Sequence, residues 1–142
     1  MERRLSFAAL ALLASSLTQC KAPSDLSEVD PALFDYQPVY QDDIAPLLRE
    51  YCVPCHSRLG LRRGGVELDT YQAAYSGRVH NACVALSPEV IDRFGDALTR
   101  QYGNTTTPCD GWNPLSMPSG ARSRMTIAEQ VLFARWVETG AP

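Results

Sequence analysis

Cys52-Val53-Pro54-Cys55-His56 is the feature that most narrows what this chain can fold into. Two thiols at this spacing, with an imidazole directly after the second, form the C-x-x-C-H pattern by which a polypeptide takes up c-type haem. The thiols reach two vinyl groups on one edge of the porphyrin, and the histidine is thereby delivered under the iron as its proximal ligand. With 5 cysteines and 2 histidines in 142 residues, a chance match is expected on the order of once in a few hundred such chains. Pro54 disfavours helical geometry at Val53, so a helix entering the motif is expected to end or bend there. Two other readings of the pair stay open. A dithiol redox site wants a βαβ setting that this chain lacks, and a zinc site needs four ligands drawn from Cys52, Cys55, Cys83, Cys109 and a histidine.

The rest of the pattern is helical and thin in apolar residues. Asp42 or Asp43 can cap a helix whose apolar positions Ile44, Leu47, Leu48 and Tyr51 follow i, i+3, i+4, i+7, with Pro46 early enough to be tolerated. Near the other end, Thr126 and Glu129 match a capping box. Ile127, Val131, Ala134 and Val137 then fall on one face, Phe133 and Trp136 widen it, and Gly140 ends the helix. Short helical patterns lie around Asp69 to Tyr75 and Pro88 to Tyr102, and no internal repeat or sustained strand alternation is present. The fold class read from this is all-α, with long irregular loops. Two good helices make a small core for a chain of this size, so a bound group is expected to fill its centre.

Met1 to Arg4 is basic, and the largely apolar run Leu5 to Leu17, 13 residues long, falls short of the roughly 20 needed to span a bilayer. It reads as an export signal. Leu17-Thr18-Gln19-Cys20 resembles a bacterial lipobox, with Gln19 departing from the small residue usual before the cysteine, so Cys20 is the expected site of acylation. The expected organisation is a lipoprotein-type signal over 1–19, a Pro-, Asp- and Ser-rich tether over 20–38, and one domain over 39–142. The location that follows is the bacterial periplasm, or the outer membrane reached through a lipid anchor, where free thiols do not persist. Net charge is −3, falling to −4 once residues 1–19 are removed, and Lys21 is the only lysine. That balance argues against nucleic acid as a partner. No carboxylate pair, Gly-rich phosphate loop or nucleophile triad stands out.

A second iron ligand is expected well downstream of His56, and Ser116-Met117-Pro118-Ser119-Gly120 supplies one. The Met117 thioether is a soft iron ligand, and Met/His ligation raises the reduction potential. Pro118 restricts the backbone of Met117. Met125, His80 and an open or exchangeable position are the alternatives.

With CVPCH in place, the chain resembles a monohaem class I cytochrome c, in particular the planctomycete-type domains of exported bacterial proteins. The resemblance is carried by Ile44-Ala45-Pro46-Leu47-Leu48, the haem motif, Gly64-Gly65-Val66-Glu67-Leu68, Met117-Pro118, and Trp136-Val137-Glu138-Thr139-Gly140-Ala141-Pro142. It implies a class I cytochrome c-like fold in which the first and last helices cross beside one covalent haem c. Cys52 and Cys55 would carry the haem, His56 and Met117 would ligate the iron, and the Met-Pro loop would close over the far face. The segment from Arg78 to Trp112 departs from that pattern and holds Cys83 and Cys109, the cysteines left after lipid and haem take theirs. An even remainder in an exported chain suggests a disulfide; closing a loop of 26 positions would stabilise the fold by about 3 to 4 kcal/mol.

Leu68, Tyr71 and Trp112 are candidates to pack on the porphyrin or donate to a propionate, and Arg122 and Arg124 are candidates to pair with one. The expected function is outer-sphere electron transfer with redox protein partners, with no catalytic residue assigned. The alternatives are a small-molecule sensor or peroxidase-like enzyme with a displaceable Met117, and a structural lipoprotein module. The overall acidity favours a partner with a basic docking face, whereas Arg58, Arg62 and Arg63 near the motif would create a local positive patch.

Overall fold

The computed structural model describes residues 24–59, 63–103, 109–111, 113–119 and 123–142. Leu5 to Leu17 and Cys20, on which the export and lipid expectations rest, lie outside them, as do Arg62, Trp112, Gly120 and Arg122. The described residues are helical and contain no strand: α1 is Ala45–Tyr51, α2 Tyr71–Ser76, α3 Arg78–Ala85, α4 Pro88–Tyr102 and α5 Ile127–Glu138.

The first helix does not begin on an aspartate cap. A π-helical turn, Tyr40–Ile44, precedes α1, and its N-cap is Val39. Pro46 lacks the N–H that would close an ordinary α-turn onto Asp42, which accounts for the wider turn. Asp43 acts from inside that turn, accepting from the Val39 N–H at 2.7 Å and the Tyr36 hydroxyl at 3.2 Å. At the far end the Cys52 and Val53 N–H groups both donate to the Leu48 carbonyl, at 2.9 and 2.8 Å, so the helix stops at the haem motif, as Pro54 led one to expect.

Caps fix the later helices. Ser87 accepts from the Val90 N–H, Pro88 opens α4 where its missing N–H costs nothing, and Gly103 closes it at φ +74°. Thr126 and Glu129 form the expected capping box of α5. The helix α3 has no counterpart in the sequence reading: its buried residues Val79, Ala82, Cys83 and Ala85 are small, and Arg78, His80 and Asn81 break up any apolar run.

The core gathers on α5, whose Val131, Phe133, Ala134, Trp136 and Val137 are all buried. The most extensive helix contact is between α4 and α5, and α3 packs on both. Buried Gln130 joins them, accepting from the Ser87 N–H at 2.7 Å and donating to the Met125 carbonyl at 3.0 Å. Cys83 and Cys109 are joined by a disulfide with Cα atoms 5.0 Å apart, the pairing the residue arithmetic suggested.

The segment read as a tether is packed structure from Asp25 onward. Asp25 and Asp30 cap two short 3-10 turns, Leu26–Glu28 and Pro31–Phe34. Val29 and Pro38 are buried. Phe34 stacks on Phe94 of α4 at 6.3 Å, and the Arg135 Nε donates to the Tyr36 carbonyl at 3.1 Å. Its apolar residues dock one at a time from turns too short to show a period, which is why sequence patterning missed them. Phe34→Ala is expected to cost about 2 kcal/mol, roughly half the value for a fully buried phenylalanine because this ring is half-buried. Urea denaturation would check this, and a change within about 0.3 kcal/mol would restore the tether reading.

Candidate haem site

The chain turns sharply after α1. The Cys55 and His56 N–H groups donate to the Cys52 carbonyl at 3.1 and 2.9 Å, and the His56 carbonyl accepts from the Leu68 N–H at 2.7 Å. These bonds place Cys52 and His56 on the wall of a cavity of about 290 Å³. Leu47 and Leu48 of α1, Val66 and Leu68, His80, Asn81, Val84 and Ala85 of α3, and Asn113, Ser116, Met117, Met125 and Phe133 also line it. A smaller void of about 50 Å³ adjoins it and is lined by Tyr51, Cys52, Cys55, His56, Met117, Pro118 and Ser119. The structure therefore brings Cys52, Cys55, His56 and Met117 to one place, with Cys52, His56 and Met117 facing both voids.

These residues fit a covalently attached haem. The larger cavity is at the low end of the roughly 300–1,000 Å³ of ligand sites and its walls are mostly hydrocarbon, as a porphyrin face requires. Two thiols, an imidazole and a thioether are the donor set that such a group takes. Asn81 also lines this cavity, and its buried amide nitrogen, beside Gly77, has no hydrogen-bond partner among the described residues.

Met117 is held through its backbone, the N–H donating to the Val84 carbonyl of α3 at 3.0 Å. His80 and Met125, the competing iron ligands, also line the larger cavity, so all three named ligands converge there. Met125 is buried just before the α5 cap, whereas His80 is exposed. Leu68 is on the cavity wall as expected. Tyr71 lies elsewhere: its ring packs edge-on against Tyr40 at 5.0 Å and its hydroxyl donates to the Ala141 carbonyl at 2.9 Å. Arg124 is exposed and is not part of the wall.

The electrostatics weigh against the other uses of the thiols. Burial, with a smaller contribution from Cys55, pushes the Cys52 thiol up to about 11, opposite to the lowered value of a reactive dithiol. Cys83 and Cys109 are bonded to each other and offer no thiolate. Nearby, the Tyr51 hydroxyl donates to the Glu129 carboxylate at 3.1 Å, tying the end of α1 to the α5 capping box. Burial and then that carboxylate raise the Tyr51 hydroxyl to about 12.

Asn81, Val84 and Asn113 are site residues that the sequence reading missed. Asn81 and Val84 are three positions apart on α3, but a helix that was not foreseen could not assign them a shared face. No protein-family model, curated protein or solved structure matches this chain. No helix among the described residues is long and apolar enough to cross a membrane.

Proposed function

We propose that this chain is a monohaem c-type cytochrome with a class I cytochrome c-like fold, carrying single electrons outside the bacterial inner membrane. The observation that carries the reading is the convergence of Cys52, His56 and Met117 on one apolar cavity from opposite ends of the chain. Cys52 and Cys55 would hold haem c through thioether bonds, and His56 and Met117 would ligate its iron. The haem supplies a reversible one-electron change between ferric and ferrous iron. Leu47, Leu48, Val66, Leu68, Val84 and Phe133 keep water from the cavity, and a dry wall favours the less charged, reduced state. Filling both axial positions leaves no place for a substrate, which suits an electron carrier that exchanges with redox protein partners. Export, and anchoring to a membrane through Cys20, belong to the same proposal and rest on residues 1–20.

Ferric protein is expected to show the weak near-infrared band of sulfur-to-iron coordination. Met117→Ala should abolish it and lower the potential, while Met125→Ala and His80→Ala keep it. Loss of the sixth ligand in His80→Ala, with Met117→Ala unchanged, would transfer the axial role to His80.

A further inference from the structure

We infer that the Cys83–Cys109 disulfide is a positioning element for Met117, clamping the ligand loop to α3 so that the thioether stays directed at the iron; this rests on the haem reading above. The helix α3 ends just before Pro88, which has no N–H, so the Val84 carbonyl has no donor four residues on and accepts from the Met117 N–H at 3.0 Å instead. The adjacent residue, Cys83, is fully buried and bonded to Cys109. Two consecutive residues of one helix thus hold the ligand segment twice, at its start and at Met117 itself. Between those holds Leu115 has φ +56°, a left-handed conformation that leucine avoids, and the Asn113 carbonyl accepts from the Ser116 N–H at 3.2 Å. Such backbone persists where its surroundings over-determine it. One backbone hydrogen bond is a weak hold against water, and the disulfide is the covalent tie between α3 and this stretch.

The test uses the haem-loaded protein with Cys83→Ala and Cys109→Ala combined. Covalent haem by intact mass and helicity by circular dichroism are expected to persist. The near-infrared band should fall at least twofold, and the ferrous form should bind carbon monoxide where wild type does not. Leu98→Ala, a buried α4 position away from the cavity, weakens the fold without touching the clamp and should keep the band. An unchanged band in the cysteine variant overturns the inference, and so does equal loss in Leu98→Ala. Wild type without haem sinks the haem reading instead, so the two failures are told apart. Should the double variant not fold, folded wild-type holoprotein is treated with a dithiol, which gives two electrons and two protons to the S–S bond and itself becomes a disulfide. With the haem kept ferrous by ascorbate throughout and release of both thiols verified by alkylation, carbon monoxide binding should appear only after treatment. Its absence overturns the inference.

Discussion

Replacing Cys52 and Cys55 together with alanine is expected to abolish covalent haem. Wild type, exported from a host that matures c-type cytochromes, should keep its haem through acid and organic extraction and show the sharp reduced α-band of a c-type cytochrome. The double variant should release all of it. The physical reason lies in the proposed attachment: thioether bonds would survive unfolding, whereas iron ligation by side chains and contact with the cavity wall would be lost when the chain unfolds. A haem-free wild-type polypeptide after extraction would remove the basis for every functional statement made above.

Trp136→Ala should have the largest effect on stability of any single substitution considered. Its indole is fully buried, lies 5.7 Å from the Phe133 ring and 5.9 Å from Tyr40, and donates to the Pro142 carbonyl at 3.2 Å. Truncating a buried aromatic costs about 3–5 kcal/mol, against a total of about 5–15 kcal/mol for a typical domain. Because Phe133 leans on Trp136 and also lines the cavity, the loss should reach the site and weaken haem loading as well. Urea denaturation of the variant beside Trp136→Phe checks this. A cost below about 1 kcal/mol for the alanine variant would mean that α5 is not the centre of the core.

How far each feature could be read in advance depended on the range over which its cause acts. The CVPCH motif, the Thr126–Glu129 capping box and the short helical pattern around Pro88 to Tyr102 are set by groups a few residues apart, so the chain displays them directly. The Cys83–Cys109 pairing needed only counting, because two cysteines are left once the expected lipid and haem sites are set aside. The apolar face of α5 was visible because twelve residues give it more than three turns of repetition.

Tertiary packing decided the rest. Residues 25–38 dock through single side chains: Val29 and Pro38 are buried, and Phe34 stacks on Phe94, far along the chain. The helix α3 is formed from small and polar residues that acquire a buried face only once α4 and α5 cover it. The convergence of Met117, Met125 and His80 on one cavity, and the donation from Met117 to Val84, arise because the chain returns across itself. By itself the sequence determined the α5 capping box and the all-α class, since capping and short-range periodicity are local. Which side chains share a cavity, and what holds the ligand loop to α3, was decided by packing, because burial and hydrogen bonding between distant segments exist only after the chain has closed.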